Sequence, residues 1–353
     1  MSTTESLRSP LHDRHTAAGA KFADFAGWSM PLEYAGVIAE HTSVREAVGV
    51  FDVSHLGTLS VSGELRQLNA VVSNDLTRIG DGQAQYTLVL TPDGGVVDDL
   101  IVYRVGDNEF LLVPNAANCA AVAAVVSAAG PSVTDITRST AVIAVQGPSS
   151  DTVVEALGVP ELDYMAFSSG TVASVPATVC RTGYTGERGV ELLVDAGSAE
   201  QVWDAVVGLG AQPCGLGARD TLRTEMGYPL HGHELSETVP ARWSSVGWAV
   251  ATDKGDFIGR DAYLGTPTGQ RILGLRMIDR GIPRAGMAVS AGGAACGHTT
   301  SGTFSPTLRT GIALARLDTS VSPGDTVEIE VRGRRLSAEV LKPPFVPSHV
   351  RGQ

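Results

Sequence analysis

The stretch that most constrains the fold is 92–103, PDGGVVDDLIVY, in which a glycine-rich turn leads into an apolar strand. Proline, aspartate and glycine in succession are typical of a tight turn, and residues 85–90 before it, QYTLVL, can form the partner strand of a β-hairpin. Two adjacent acids, Asp98 and Asp99, begin the second strand. Because side chains alternate along a strand, we expect these two carboxylates to point to opposite faces.

This acidic pair has two interpretations. Burying a carboxylate is costly unless its charge is compensated, so acids beside Leu100 and Ile101 indicate a site that requires negative charge. Acids are also common in turns, and both could simply hydrate the end of the hairpin. The residues alone leave the two interpretations open.

The elements around the hairpin indicate a mixed α+β region with an antiparallel sheet. Residues 110–113 predict a further strand, and an alanine-rich helix follows to about residue 129, with Asn115 as its N-cap. Residues 142–145 predict another buried strand. Beyond 265–269, short strand patterns alternate with glycine and proline, which indicates an all-β C-terminal domain, either a barrel or a sandwich.

A second acid of interest is Glu191, which follows a glycine-rich turn in the segment 180–194. On a strand it faces opposite to Val190, Leu192 and Val194. A fixed carboxylate can accept two parallel N–H bonds from a planar edge such as an aminopyrimidinone ring, as it does from guanidinium. An exposed polar face on an edge hairpin explains the pattern equally well.

Two arginines, Arg219 and Arg223, lie one helical turn apart after the glycines of 214–217. The segment is not a dinucleotide fingerprint, because the third glycine and the surrounding βαβ unit are missing. The pair could bind an anionic carboxylate ligand, or it could form surface ion pairs with Asp220 or Glu225.

Composition excludes several classes of function. A net charge of -12 argues against a broad nucleic-acid or anionic-membrane surface. Lysine occurs only at Lys21, Lys254 and Lys342, which leaves little scope for Schiff-base chemistry. The four cysteines form no C-x-x-C pair, and no apolar run is long enough to span a bilayer. With a polar N-terminus as well, we expect a cytoplasmic protein without a metal.

Three polar clusters have weaker chemical interpretations. Asp52, Ser54 and His55 do not indicate a hydrolase triad, since no G-x-S-x-G elbow is present and a strand would separate the side chains. They are better explained as buried polar residues at a strand end. The histidines of 12–15 and 231–233 come in pairs without a third ligand, which is a weak metal signal.

Several motifs, in the same order along nearly the whole chain, resemble the T-protein family of the glycine cleavage system, whose members are aminomethyltransferases. They are GWSMP at 27–31, FDVSH at 51–55, QYT at 85–87, GGVVDDLIVY at 94–103, the segment 181–191, ARDTLR at 218–223, TSG at 300–302 with Ser305-Pro306, and PFVP at 344–347.

The resemblance implies a cloverleaf-like α+β fold around a central cavity for tetrahydrofolate. Two interleaved α/β subdomains would form the folate-binding region over 1–265, and a β-barrel domain would occupy 270–353. It also implies the reaction. The aminomethyl group carried on the lipoyl arm of H-protein gives its methylene carbon to tetrahydrofolate, which releases ammonia and leaves 5,10-methylenetetrahydrofolate and dihydrolipoyl H-protein.

The resemblance also assigns roles to residues. Asp99 matches the family's catalytic acid near folate N5, and Glu191 matches the pterin-binding carboxylate. Arg219 matches an arginine of the folate site. The further pocket residues that it implies are Tyr103, Asn115, Tyr184 and Trp248.

Two other classes with the same fold are weaker alternatives. Folate-binding proteins of iron–sulfur assembly carry a Lys-Gly-Cys-Tyr segment, where this chain has Arg181-Thr182-Gly183-Tyr184. Folate-dependent demethylases of sarcosine or dimethylglycine usually carry this region fused to a flavin domain, and no flavin or dinucleotide fingerprint occurs here.

Overall fold

The computed structural model describes residues 6–351, so residues 1–5 and 352–353, the outer ends of the two expected domains, lie outside the described residues. The strands in chain order are β1 (Leu7–Arg8), β2 (Lys21–Phe25), β3 (Trp28–Glu33), β4 (Gly49–Asp52), β5 (Leu59–Ser62), β6 (Gln83–Leu90), β7 (Val96–Gly106), β8 (Glu109–Val113), β9 (Ser132–Asp135), β10 (Thr140–Gln146), β11 (Phe167–Val172), β12 (Val175–Cys180), β13 (Gly189–Asp195), β14 (Gln212–Pro213), β15 (Gln270–Met277), β16 (Ala288–Ala291), β17 (Ala294–Ser305), β18 (Thr310–Asp318), β19 (Thr326–Val331) and β20 (Arg334–Leu341). The α-helices are α1 (His12–Ala17), α2 (Val37–Glu46), α3 (Leu65–Asn69), α4 (Cys119–Ala128), α5 (Ser150–Ala156), α6 (Ala199–Gly208), α7 (Leu216–Met226) and α8 (Arg260–Gly265).

Two open sheets share the N-terminal part of the fold, and the chain passes between them. The first has the strand order β11-β12-β13-β10-β4-β14, and the second has the order β6-β7-β8-β5-β9. The chain enters the first sheet with β4, leaves to build all of the second sheet, and then returns. The expected interleaving of two subdomains is therefore confirmed. A small sheet, β1-β3-β2, precedes both.

The C-terminal strands close into a barrel with the order β15-β18-β17-β16-β19-β20. Apolar side chains from every strand fill its interior, including Leu275, Val289 and Ile329. Of the two all-β alternatives, the structure contains the barrel and not the sandwich. The α+β class with a C-terminal barrel is confirmed.

A buried charge cluster, which we call the hub and define as Arg45, Glu187 and Glu225, joins the parts of the fold. Arg45 lies 2.8 Å from a carboxylate oxygen of Glu187 and 2.8 Å from one of Glu225. Thr307, between barrel strands β17 and β18, donates to Glu225 at 3.0 Å. His349, in the C-terminal segment, lies 2.9 Å from Glu187. The hub therefore contacts both the barrel and the segment that follows it.

The hub carboxylates are compensated by cationic side chains. Burial alone raises the pKa of Glu225, but hydrogen bonding and charge from His41, together with the charge of Arg45, outweigh it and lower that pKa to about 2. Glu225 therefore stays ionised inside the protein because positive charge lies beside it.

The 51–55 segment contains no hydrolase triad. Asp52 is buried and accepts hydrogen bonds from the Ser54 hydroxyl at 2.6 Å and from His15 at 2.8 Å. Burial and the charge of Arg219 lower the pKa of His55 to about 4. The buried Ser54 hydroxyl also accepts the Val142 backbone N–H at 3.0 Å, so it connects β4 to β10. Among the described residues, no helix is long and apolar enough to cross a membrane.

Candidate active site

The acid pair lies at the start of β7, in the predicted β6–β7 hairpin. The register pairs Leu88 with Asp99 and Val89 with Asp98, and an irregularity beside Leu90 shifts the register nearer the turn. Asp98 is fully buried and Asp99 is half-buried. The carboxylates therefore do not merely hydrate the end of a hairpin, which excludes the simpler interpretation.

One amide contacts both acids. Asn115 Nδ2 donates to Asp98 Oδ1 at 2.9 Å and to Asp99 Oδ1 at 3.0 Å. The Asn115 backbone N–H and the Asn118 amide also donate to Asp98, at 2.9 and 2.7 Å. Asn115, just beyond β8, therefore links the two neighbouring acids, although successive side chains on a strand alternate in direction.

This use of Asn115 corrects its expected role as a helix cap. A short 3-10 turn over Ala116–Asn118 precedes α4, and the Asn115 side chain makes no capping hydrogen bond. The side chain is committed to the carboxylates. The sequence predicted the position of Asn115 between a strand and a helix, but it did not predict that the side chain would bind Asp98 and Asp99.

The acid pair has hydrogen-bond donors around it but no ion pair within residues 6–351. Burial, and then the charge of Asp99, raise the pKa of Asp98 to about 8. Burial also raises the pKa of Asp99, although Tyr86, His231 and Asn115 oppose that shift. Near neutral pH Asp98 therefore favours its protonated form, and the two neighbouring carboxyl groups titrate as a coupled pair.

An aromatic platform lies beside Asp99. The Tyr86 hydroxyl donates to Asp99 Oδ2 at 2.8 Å. The ring of Tyr86 stacks on Trp248, with 5.3 Å between ring centroids and 29° between ring planes. Trp248 is 69% exposed, so one face of its indole is open to solvent or to a ligand. The structure thus connects Trp248 to Asp99 through Tyr86.

Glu191 lies on β13, which is a central strand, so the alternative of an exposed edge hairpin is wrong. Its Oε2 accepts a hydrogen bond from the Thr182 hydroxyl at 2.5 Å, and the Tyr103 hydroxyl lies 3.1 Å from the same Thr182 oxygen. Because Thr182 uses its only proton on Glu191, Tyr103 must donate to Thr182. The second carboxylate oxygen, Oε1, has no recorded partner among the described residues.

The two arginines of α7 have different environments. Arg223 is buried and lies 2.8 Å from Asp220 and 3.2 Å from Glu234, so the expected ion pair with the exposed Asp220 exists and a second, buried pair with Glu234 accompanies it. Arg219 lies over the ring of Tyr184 at 4.6 Å, and its buried Nη1 has no hydrogen-bond partner in residues 6–351. Arg219 is therefore the arginine that remains available to an anion.

Electrostatic interactions connect these groups into one site. The charges of Asp99 and Arg219 both act on Tyr184, and the charge of Glu191 acts on Arg219. The Tyr184 hydroxyl donates to the Pro229 carbonyl, which fixes the ring beneath the guanidinium. The structure thus places the expected site residues in two linked groups, one around Asp99 and one around Glu191.

Sequence reasoning missed four residues that shape the site, namely Tyr86, Asn118, Thr182 and His231. Tyr86 could have been found, because the hairpin register pairs it with Ile101 and so places it diagonally opposite Asp99. The other three come from distant segments, and no local pattern connects them to the acids.

Metal binding has no geometric support in the part of the chain that the structure describes, where no group of three or more His, Cys, Asp and Glu side chains converges. His231 instead lies 2.9 Å from the Val96 carbonyl, and His233 lies 2.9 Å from the Thr300 carbonyl.

Comparison with known proteins gives a consistent result. Residues 11–254 match the family model of the GCVT N-terminal domain, and 270–347 match that of the glycine cleavage T-protein C-terminal barrel domain. The chain is 52% identical to an aminomethyltransferase of Mycobacterium avium, with 98% of each chain covered, and 54% identical to one of Frankia alni, with 98% and 99% covered. Its fold is similar to the crystal structure of glycine cleavage system aminomethyltransferase T from Bartonella henselae, with a TM-score of 0.91, 32% identity, and coverage of 97% and 98%.

Proposed function

As a member of the glycine cleavage T-protein family, the chain is an aminomethyltransferase of the glycine cleavage system, and we propose that it uses tetrahydrofolate as co-substrate and lipoylated H-protein as partner. The iron–sulfur assembly and demethylase alternatives are not favoured. We further propose a domain division between α8, which ends at Gly265, and β15, which begins at Gln270. We also propose a cytoplasmic location, because the four cysteines are free and thiols stay reduced in the cytoplasm.

The groups around Glu191 fit a reduced pterin with an anionic tail. Glu191 is held from one side by Thr182, which leaves an oxygen available to the paired N–H donors of a pterin edge. Arg219 has an unpartnered buried nitrogen that a ligand carboxylate can satisfy. The folate supplies an amine nitrogen that accepts the one-carbon unit, and Tyr103 supports its binding indirectly through Thr182.

Asp99 carries the chemistry in this proposal. Its two oxygens are oriented by Tyr86 and Asn115, so the carboxylate is fixed before substrate arrives. Fixed negative charge stabilises the positive charge that develops on the aminomethyl carbon as the lipoyl sulfur leaves. The same carboxylate can accept the proton of the attacking folate nitrogen. The single observation that best supports this role is that Asp99, half-buried and held by Tyr86 and Asn115, has no ion-pair partner within residues 6–351.

One assay tests the function directly. The purified protein is mixed with aminomethylated H-protein and tetrahydrofolate, and ammonia and 5,10-methylenetetrahydrofolate are measured. We expect both products in equal amounts. Release of ammonia without methylenetetrahydrofolate would contradict the role of folate, and the absence of both products with intact H-protein would contradict the function.

A further inference from the structure

One lysine outside the site is enclosed by oxygen atoms. The Lys254 ammonium donates to the backbone carbonyls of Asn69 at 2.5 Å, Asn74 at 2.7 Å and Val72, and lies 3.3 Å from Asn69 Oδ1. We call these four oxygens the carbonyl cage. The other two lysines differ, since Lys21 has a 74% exposed side chain and Lys342 is exposed.

The cage belongs to a segment, 69–74, that lies between β6 and the loop carrying Trp248. Ser73 binds that loop twice, because its hydroxyl donates to the Ala249 carbonyl at 2.7 Å and its carbonyl accepts the Ala251 N–H at 2.9 Å. The Asn74 amide donates to the Tyr86 carbonyl at 2.9 Å. The segment therefore holds both members of the Tyr86–Trp248 stack.

Lys254 closes this arrangement from the far end of the loop. Five residues separate it from Trp248, and its ammonium binds three carbonyls of the segment that already holds Ala249 and Ala251. Without it, three inward-facing carbonyls would lose their charged donor. Loop and segment are thus fastened at two points, Ser73 and Lys254.

We propose that Lys254 is a positioning residue for the aminomethyl transfer, whose ammonium occupies the carbonyl cage and thereby fixes Trp248 on Tyr86 beside Asp99. The expected effect on aminomethyl transfer rests on the proposed function, whereas the expected effect on the position of Trp248 does not. Only a compact cation with several donors fits a cage of this kind, which explains a lysine here in a chain that otherwise uses arginine.

The ammonium remains largely protonated at neutral pH. Burial lowers the pKa of Lys254 to about 8, and Asp75 opposes that shift through its negative charge. The charged donor is therefore present under working conditions.

The first test compares Lys254→Met with the matched control Lys342→Met. Trp248 is the exposed tryptophan at the site, so acrylamide quenching of fluorescence reports its environment, and Trp248→Phe identifies its contribution. We expect altered quenching and a fall in kcat/KM of about 10–100-fold in Lys254→Met, the range typical of losing a supporting partner. The control should match wild type. Unchanged quenching in a folded Lys254→Met would overturn the proposal.

The second test distinguishes a placed cation from simple packing. In Lys254→Ala, methylammonium can enter the vacated cage, whereas tetramethylammonium has no N–H donor. We expect methylammonium alone to restore the wild-type quenching of Trp248. Equal effects of the two ions, or no effect of either, would contradict the cage.

A third measurement needs no variant. With three lysines in the chain, acetylation rates can be read peptide by peptide in the native protein. The lower pKa of Lys254 gives it the larger neutral fraction, but the reagent reaches its nitrogen only after the four oxygen contacts have opened, so we still expect Lys254 to react at least about tenfold more slowly than Lys342. Equal rates would overturn the proposal. Fluorescence and acetylation do not depend on turnover, so failure of the aminomethyltransferase assay is distinguishable from failure of the cage.

Discussion

The hub and the acid pair both bury two carboxylates, but their surroundings differ. Glu187 and Glu225 lie against the guanidinium of Arg45, with a histidine nearby. Within residues 6–351, Asp98 and Asp99 accept hydrogen bonds from amides and a hydroxyl only. The pKa of Glu225 is accordingly lowered to about 2, whereas that of Asp98 is raised to about 8.

The difference separates structural from chemical use of a buried acid. A carboxylate paired with a cation is neutralised and holds elements together, and removing one partner leaves a costly unpaired charge. A carboxylate with only neutral donors keeps its charge or its proton available to a substrate. On this basis we assign the hub to stability and propose the acid pair for catalysis.

The largest effect is expected for Asp99→Asn, which tests whether the acid pair serves catalysis. The amide has the same shape but can neither accept a proton nor stabilise a developing cation. We expect turnover to fall by roughly 10²–10⁴, with folate binding and thermal unfolding almost unchanged. Steady-state kinetics with aminomethylated H-protein provide the measurement. A larger loss in a folded Asp98→Asn variant than in Asp99→Asn would reverse the assignment.

Removing the cation of the hub tests whether the hub serves stability. Arg45→Met leaves Glu187 and Glu225 buried without their guanidinium, and we expect the free energy of unfolding to drop by about 3–5 kcal/mol. Urea denaturation measures this. Arg66→Met is the matched control, because Arg66 pairs with Glu64 at the exposed surface, and this variant should leave the free energy of unfolding almost unchanged. Equal losses in the two variants would mean that burial of the hub has no energetic consequence.

Glu191→Gln tests whether a residue outside the acid pair acts in folate binding. The change removes the charge that would face the pterin but keeps an oxygen for Thr182. Loss of a charged hydrogen bond is worth roughly 1.5–3 kcal/mol, so we expect folate affinity to fall about 10–150-fold. Calorimetry with tetrahydrofolate tests this, with the exposed Glu200→Gln as control. Wild-type affinity would remove Glu191 from the site.

The smallest expected effect is a difference in pH dependence. The pKa of Asp98 is raised from 3.8 to about 8 on folding, so the folded state binds the extra proton, and its stability falls as pH rises between these values. The pKa of Glu225 is lowered from 4.5 to about 2, so its contribution is lost as pH falls across that interval.

Unfolding free energies measured across pH test both signs. Asp98→Asn should flatten the decline toward pH 8, and Glu225→Gln should flatten the acid limb, each by at most about 1.4 kcal/mol per pH unit. Opposite signs in the two variants support the comparison, and a shared sign contradicts it.

Local patterns predicted the elements well, and contacts between distant segments poorly. The hairpin, the orientation of Glu191 and the strand-rich C-terminal domain follow from turn composition and alternation, which short stretches encode. Arg45 and Glu225 are 180 positions apart, so no pattern in either stretch indicates the hub. The same limit applies to Asn115, whose position predicted a cap while its partners lie on another strand. Resemblance to a family, and not residue pattern, selected Asp99 and Arg219.

The composition of the hub also sets an order of assembly during synthesis. Arg45, Glu187 and Glu225 leave the ribosome well before Thr307 and His349, which complete their hydrogen bonds. Until the barrel has been translated, the N-terminal sheets therefore carry a cluster of charges with exposed, unsatisfied oxygens. A nascent chain stalled before residue 307 should accordingly present this surface to chaperones, even though both of its sheets are already complete.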